Sequence, residues 1–227
     1  MKKLLFCYAM DSEAKPILEK AVIKSTESFG QAKLHDCAYD GHGFYVLVTG
    51  IGKVAAGAGL AAVLCQKEVT HVFDIGVGGS IEPEKAPVRT AVIGSRYAQH
   101  DMDTSPIGDE VGLISGINLV YLPSDENGVA ILKEACEKVG APYEIGTIAS
   151  GDLFVSKEKE RERIRKLFKA LSCDMETAAL AQVAYAYGIP FNGLRMISDA
   201  GKVGEYLSNL PHCSEKALEI VLTVLGK

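Results

Sequence analysis

The chain has 227 residues, of which 48% are hydrophobic and 23% charged, and its formal net charge is −5. These values predict one globular domain over residues 1–227. They argue against nucleic-acid and membrane partners, because the chain has neither a long basic run nor a membrane-length apolar stretch. Six cysteines without CxxC or CxxH spacing predict reduced thiols in a cytoplasmic protein.

Short apolar runs alternate with helical periodicity along the chain, which predicts an α/β protein. Strands are predicted at residues 2–8, 35–40, 44–49, 71–76, 90–98, 143–150 and 191–197. Helices are predicted from the turn at 9–13 through 21, and at 54–66, 125–139, 157–168, 178–187 and 214–225. Asp125 and Ser214 are the expected N-caps, and Gly188 is an expected C-cap.

Glu13 lies at the first strand-to-helix junction, three residues after Met10. A carboxylate at this position is a candidate for chemistry beyond the end of a strand. A glutamate in a first helical turn also complements the helix dipole, and taken alone this structural explanation is the better one.

The tract GIGKVA at 50–55 indicates a dinucleotide-binding alternative. It matches GxGxxA between a strand and a helix, and Asp74 follows about 20 residues later, as in a Rossmann fold. Two strands, in an apparent hairpin, precede the match, and the first strand-to-helix turn of the chain has no glycine. An NAD-binding oxidoreductase is therefore a distant alternative.

Two further tracts have open interpretations. Val77-Gly78-Gly79-Ser80 follows a predicted buried strand, where glycines either let backbone amides approach a ligand or form a tight turn. The tract HDMD at 100–103 contains a histidine and two carboxylates, which can ligate a divalent ion. No other ligand residues lie at a supporting spacing, so no metal is predicted.

Residues 173–199, CDMETAALAQVAYAYGIPFNGLRMISD, read as a helix followed by a strand. Glu176 lies near the start of the helix, and Asp199 lies at the end of the strand. Ligands of open α/β sheets bind beyond the carboxyl ends of strands, so both carboxylates could face one ligand. As a helix-start acid and a loop cap they would need no ligand.

Three tracts of this unit, METAALA at 175–181, GIPF at 188–191 and RMISD at 195–199, resemble the purine nucleoside phosphorylase superfamily. The closest resemblance within it is to the 5′-methylthioadenosine/S-adenosylhomocysteine nucleosidases, which share GIGKVAA at 50–56 and SGDLF at 150–154. The resemblance runs from Met10 to Asp199. It implies an α/β fold with a central, twisted, mixed sheet, partly barrel-like and flanked by helices.

The resemblance implies hydrolysis of the N-glycosidic bond of an adenosine-type ribonucleoside, 5′-thio-substituted in keeping with that family, without a cofactor. Asp199 would protonate the base at N7, Glu13 would activate water, and Glu176 would bind the ribose hydroxyls. The implied binding residues are Met10, Ile51, Val77, Gly78, Phe154, Val155, Met175 and Ser198.

Four of these residues have implied roles of their own. Phe154 would stack on the purine, although it could equally be a core residue, and Val155 would offer its backbone to the base. Met175 would pack on the ribose, and Ser198 would orient Asp199. The family also implies a homodimer whose partner subunit completes the pocket around the 5′ group.

Three alternatives to this nucleosidase remain open. A phosphorylase would carry an arginine shortly before the glycine loop, and this chain has none between residue 1 and Arg89. Thr104 and Asp109 are more polar than the family pattern, which leaves room for another purine nucleoside, such as futalosine. A non-catalytic nucleoside-binding protein is the third, and the three carboxylates argue against it.

Overall fold

A mixed β-sheet forms the centre of the computed structural model, which describes residues 3–226. Its strands are β1 (Lys3–Tyr8), β2 (Val22–Phe29), β3 (Ala32–Tyr39), β4 (His42–Val48), β5 (Val69–Ser80), β6 (Ala91–Gln99), β7 (Leu122–Pro123), β8 (Tyr143–Ser150), β9 (Ala170–Asp174) and β10 (Phe191–Asp199). The helices are α1 (Asp11–Lys20), α2 (Lys53–Leu64), α3 (Glu126–Lys138), α4 (Glu158–Phe168), α5 (Thr177–Tyr187) and α6 (Val203–Leu225).

Part of the sheet closes on itself. Strand β5 pairs in parallel with β10, β10 pairs with β6, β6 with β8, β8 with β9, and β9 returns to β5. The strands β1, β4, β3 and β2 extend from the other edge of β5 as an open sheet. The expected α/β fold with a partly barrel-like mixed sheet is confirmed.

Helices cover both faces of the sheet. Helices α1, α3 and α6 pack together on one face, over a core that includes Phe6, Phe73 and Met196. Helices α2 and α5 pack against each other on the opposite face, over a core that includes Leu5 and Ile148. Burial of these apolar side chains provides the main driving force for the fold.

Most predicted elements agree with the structure to within a few residues. The first predicted strand corresponds to β1, although its residue 2 lies outside the described residues. Asp125 caps α3, because its carboxylate accepts a hydrogen bond from the Gly128 amide at 2.8 Å. Gly188 ends α5 with a positive φ of 65°, as a C-cap glycine does.

Three features of the chain differ from expectation. The edge strand β2 and the short strands β7 and β9 have no predicted counterpart. Helix α6 begins at Val203 and continues through Pro211, so Ser214 lies inside this helix and does not cap it. The expected loop at residues 77–80 is the last part of β5.

The glycines of β5 let other side chains reach the strand. A Cβ at Gly76 would lie 2.8 Å from Glu13 Oε1, and a Cβ at Gly78 would lie 2.6 Å from the Ser172 Oγ. Any larger residue would push these groups away, since real Cβ atoms do not approach other atoms so closely. The glycine tract therefore serves close packing at the end of the strand.

Candidate active site

A cavity of about 200 Å³ opens where the chain leaves β1, β5, β9 and β10. All eleven residues that the sequence predicted for the site line it: Met10, Glu13, Ile51, Val77, Gly78, Phe154, Val155, Met175, Glu176, Ser198 and Asp199. Ala9, Gly79, Leu153, Cys173, Asp174 and Tyr206 complete the lining. The structure thus brings together three carboxylates that are up to 186 residues apart (199 − 13) in sequence.

Glu13 is buried at the first turn of α1 and binds two separate segments. Its Oε2 accepts a hydrogen bond from the Met10 amide at 3.0 Å, and its Oε1 accepts one from the Val77 amide at 2.9 Å. Burial raises the pKa of Glu13 to about 7, while Arg195 and these amides oppose the rise. The contact across to β5 shows that Glu13 does more than complement the helix dipole.

Glu176 is the residue immediately before α5, and its carboxylate turns toward the Gly52 turn. Its Oε1 accepts a hydrogen bond from the Gly52 amide at 2.8 Å, and its Oε2 accepts a longer one from the Met175 amide at 3.3 Å. Burial, followed by the negative charge of Asp174, raises the pKa of Glu176 to about 8. Glu176 therefore does not cap its own helix; it joins α5 to the start of α2.

Asp199 ends β10 and is only 3% exposed. The Ser198 hydroxyl donates a hydrogen bond to its Oδ2 at 2.9 Å, and the Gly201 amide donates to its Oδ1 at 2.8 Å. Burial raises the pKa of Asp199, and these two hydrogen bonds partly offset the rise. We call Glu13, Glu176 and Asp199 the cavity carboxylates.

A buried ion cluster lies beneath the cavity. The Arg195 side chain is 2% exposed, and its guanidinium donates to Asp74 Oδ2 at 2.6 Å and to Asp174 Oδ2 at 2.7 Å. Asp174 also accepts hydrogen bonds from the Thr177 amide at 3.1 Å and from the Ser150 hydroxyl. We call Asp74, Arg195 and Asp174 the Arg195 cluster.

The Arg195 cluster argues against the dinucleotide-binding alternative. Asp74 is 1% exposed and ion-paired, so it cannot receive a ribose as the acid of a Rossmann fold does. The sequence did contain a signal for this cluster, since Asp74 and Arg195 each interrupt an apolar strand. A charge inside a buried strand requires a buried partner of opposite sign.

Apolar side chains form the outer wall of the cavity. Phe154 is 41% exposed, so it is not a core residue, and its ring packs edge-on against Tyr206 with the centroids 5.9 Å apart. The Tyr206 hydroxyl lies 3.5 Å from the Met10 sulfur. Tyr206 was missed because Pro211 concealed the first half of α6, although Glu205 next to it is a typical first-turn acid.

The HDMD tract does not form a metal site in the structure. Between residues 3 and 226, no three His, Cys, Asp or Glu side chains are grouped as metal ligands would be. Asp101 binds the Lys53 ammonium at 2.6 Å, and Asp103 accepts a hydrogen bond from the Ser105 amide at 2.9 Å. Nearby, Thr104 donates a hydrogen bond to Asp109 at 2.7 Å.

None of the described residues that line the cavity is Lys, Arg or His. The nearest cation of the ion network, Arg195, is already bound by two carboxylates. The site is therefore rich in carboxylates and apolar surface and offers no cationic side chain to an anion.

No helix within residues 3–226 combines the length and the apolar character that a membrane span requires.

The chain is similar to known proteins along nearly its whole length. Residues 3–226 match the family model described as the phosphorylase superfamily. A 5′-methylthioadenosine/S-adenosylhomocysteine nucleosidase from Glaesserella parasuis is 33% identical over 207 residues, which cover 89% of each chain.

Two solved structures from Helicobacter pylori also superimpose on the chain. One is a 5′-methylthioadenosine/S-adenosylhomocysteine nucleosidase with butyl-thio-DADMe-Immucillin-A, with a TM-score of 0.93, 26% identity and coverage of 100% of this chain and 98% of the other. The other is a futalosine hydrolase, with a TM-score of 0.93, 25% identity and coverage of 99% and 97%. The chain belongs to the 5′-methylthioadenosine/S-adenosylhomocysteine nucleosidase family of the phosphorylase superfamily.

Proposed function

We propose that the protein hydrolyses the N-glycosidic bond of 5′-thio-substituted adenosine nucleosides and releases adenine and a ribose derivative. The observation that carries the proposal is a cavity lined by the three cavity carboxylates and by Asp174, which Arg195 pairs, with no cationic side chain among its described lining residues. The names of the related nucleosidases support the same substrate class.

The three carboxylates match the needs of this reaction. Cleavage of the bond leaves positive charge on the ribose and negative charge on the departing base. Asp199 would donate its proton to N7 of the base, which its raised pKa favours. Glu13 would accept a proton from the water that attacks C1′ on the opposite face of the sugar.

Glu176 would bind the 2′ and 3′ hydroxyls of the ribose and stabilise its positive charge. Its approach to the Gly52 amide places this carboxylate between the α2 and α5 sides of the cavity. Met175 would pack on the ribose, and Phe154 would stack on the purine, for which its exposed ring is available. Val155 would offer its backbone to the base.

Water is a better nucleophile than phosphate for this cavity. Proteins bind phosphate with arginine forks, lysine or clustered amides, and the cavity lining has no basic side chain among the described residues. A phosphate ion would instead meet the carboxylates of Glu13, Asp174, Glu176 and Asp199. We therefore propose hydrolysis, with phosphorolysis as the alternative that the experiment below must exclude.

The proposal is tested by adenine release. The substrates are 5′-methylthioadenosine, S-adenosylhomocysteine, 5′-deoxyadenosine, adenosine and inosine, each with and without phosphate. We expect phosphate-independent release of adenine, fastest from the thio-nucleosides. Release that requires phosphate would make the protein a phosphorylase, and the absence of any released base would overturn the proposed function.

A futalosine hydrolase is a second candidate. The structural similarity to such an enzyme is as high as that to a nucleosidase, at a TM-score of 0.93 for both. The hydrogen-bonded pair Thr104 and Asp109 adds polarity where the family pattern is apolar. Adding futalosine to the substrate panel separates the candidates, since each predicts a different fastest substrate.

We also propose a homodimer in a reducing cytoplasmic setting. Ile51, Val54, Leu153 and Phe154 expose 41–82% of their surface near the cavity mouth, an apolar area typical of protein interfaces. All six cysteines are free. Light scattering during gel filtration should give twice the chain mass of 24.2 kDa; a monomer at micromolar concentration would contradict the dimer.

A further inference from the structure

Three charged residues outside the cavity lining form a closed ring of contacts. The Lys53 ammonium donates to Asp101 Oδ1 at 2.6 Å, and the Lys53 amide donates to Asp152 Oδ1 at 2.8 Å. The Asp152 amide in turn donates to Asp101 Oδ2 at 3.0 Å. We call Lys53, Asp101 and Asp152 the Lys53 clamp.

The Lys53 clamp joins three parts of the chain that are distant in sequence. Lys53 is the first residue of α2, Asp101 follows β6, and Asp152 lies in the loop after β8. The ammonium also donates to Gln99 Oε1 at 3.0 Å, and the Gln99 amide donates to Gln182 of α5 at 2.6 Å. The contacts thus continue into the helix that follows Glu176.

Each side of the clamp adjoins a wall of the cavity. Gly52, next to Lys53, donates its amide to Glu176 Oε1 at 2.8 Å. On the other side, Asp152 directly precedes Leu153, Phe154 and Val155, which line the cavity. The clamp therefore fixes the Glu176 wall relative to the Phe154 wall.

Charge strengthens the contact between Lys53 and Asp101 in the clamp. The Lys53 ammonium bonds the Asp101 carboxylate and the Gln99 amide oxygen, and the side chains of Lys53 and Asp101 are only 19% and 32% exposed. Hydrogen bonds between charged groups are shorter and stronger than neutral ones. Burial alone would raise the pKa of Asp101, but the hydrogen bonds from Lys53 and Asp152 lower it, so Asp101 stays ionised.

We propose that the Lys53 clamp is a positioning device that sets the spacing between the ribose wall at Glu176 and the base wall at Phe154. The inference rests on the proposed function and deepens it, because a nucleoside must contact both walls at once. Adenine alone contacts only the base wall. The clamp therefore contributes to recognition of the intact nucleoside and much less to recognition of the free base.

The test compares Lys53→Met with a matched control. Lys159→Met removes the same charge from an exposed position of α4. For each protein, kcat and KM are measured with 5′-methylthioadenosine, and adenine is measured as a product inhibitor. We expect Lys53→Met to lower kcat/KM at least tenfold and to change the inhibition constant of adenine less than threefold, with Lys159→Met like the wild type.

Two further variants separate positioning from stability. The double variant with Lys53→Met and Asp101→Asn removes both charges of the pair and leaves neither of them unpaired. The urea concentration at the midpoint of unfolding should therefore return toward the wild-type value. The kinetic defect should remain in this double variant, because the ammonium contacts that tie the start of α2 to Asp101 and Gln99 are still missing. Lys53→Arg preserves the charge and should recover most of kcat/KM.

The outcomes separate this inference from the proposed function. Two results would overturn the clamp and leave the proposed function intact, provided that the wild-type protein turns over nucleoside. One is a Lys53→Met variant with unaltered kcat/KM. The other is a Lys53→Met variant that loses nucleoside affinity and adenine affinity equally. Recovery of kcat/KM in parallel with stability in the double variant would also overturn it, since it shows a purely structural role. A wild-type protein that releases no base overturns the proposed function, and the clamp with it.

Discussion

The cavity carboxylates and the Arg195 cluster lie side by side, but they stabilise their charges in different ways. In the cluster, two aspartates face one guanidinium, and opposite charges compensate much of the cost of burial. The cavity carboxylates instead accept hydrogen bonds from backbone amides and from the Ser198 hydroxyl. Neutral donors orient a carboxylate but neutralise it less than a cation does.

This difference separates structure from reactivity. Burial outweighs the opposing effects of the Arg195 charge and of the neutral donors, so the pKa values of Glu13 and Glu176 rise to about 7 and about 8. Groups that exchange protons near neutral pH suit acid–base catalysis. A carboxylate held by Arg195 is less able to transfer a proton without leaving a buried charge unpaired. The Arg195 cluster is thus a structural support beneath the carboxylates that we propose to be reactive.

The largest effect is expected from Asp199→Asn. Asparagine keeps the shape and the Ser198 contact but has no proton to donate to the base, so kcat should fall about 10³-fold. Thermal unfolding should stay near that of the wild type. Asp103→Asn, at an exposed carboxylate, is the control and should keep full activity. Near-normal turnover in Asp199→Asn would show that Asp199 is not the general acid.

Arg195→Met tests the other side of the comparison. The change leaves two buried aspartates without their cation, so the free energy of unfolding should drop by about 3–5 kcal/mol. Arg165→Met removes an exposed guanidinium paired with Glu162 on α4 and should cost far less, because solvent screens an exposed ion pair. Urea unfolding at pH 7 measures both. Equal losses of unfolding free energy in the two variants would mean that the Arg195 cluster does not stabilise the fold.

The sequence predicted the elements that carry the cavity residues better than it predicted the edge strand of the sheet. The helix and strand that carry Glu176 and Asp199 stand out because Gly188 and Pro190 punctuate them. Strand β2 lacks any apolar alternation, since it is exposed along nearly its whole length at the edge of the sheet. Its conformation comes from pairing with β3, which is a tertiary contact and leaves no local pattern.

The backbone partners of Glu13 and Glu176 were also beyond prediction. The Val77 amide reaches Glu13 across 64 residues, and the Gly52 amide reaches Glu176 across 124 residues. Backbone donors carry no side-chain signature, so only the fold reveals them. A motif therefore identifies which carboxylates matter, whereas their raised pKa values depend on burial that the assembled sheet creates.

Glu176→Gln tests whether burial of a carboxylate without a cation costs stability. Below about pH 4.5, Glu176 is protonated in both states; toward pH 8 the unfolded chain loses the proton first, so wild-type stability declines through this window. Glutamine does not titrate. The variant should therefore gain on the order of 3 kcal/mol over the wild type between pH 5 and pH 8. Urea unfolding at both pH values measures the gain.

Activity provides the matched control for Glu176→Gln. Below pH 7 both Glu13 and Glu176 must lose protons for catalysis, so log kcat/KM of the wild type should rise with a slope near 2. In the variant only Glu13 titrates, and the slope should fall to about 1 at a lower overall rate. A stability difference that does not change with pH would contradict the raised pKa of Glu176.

The smallest effect is expected from Ser198→Ala, which removes one neutral donor from a cavity carboxylate. The Ser198 hydroxyl favours the ionised form of Asp199, so its loss should raise the pKa of Asp199 further. The general acid then keeps its proton to a higher pH, and the alkaline limb of kcat/KM should move upward by a fraction of a pH unit. Looser orientation of Asp199 should also lower kcat a few-fold.

Ser208→Ala removes a hydroxyl that bonds only within α6 and should leave both the limb and kcat unchanged. A downward shift of the limb in Ser198→Ala would show that the hydroxyl stabilises the protonated acid instead, and that neutral donors do not tune this carboxylate in the way the comparison requires.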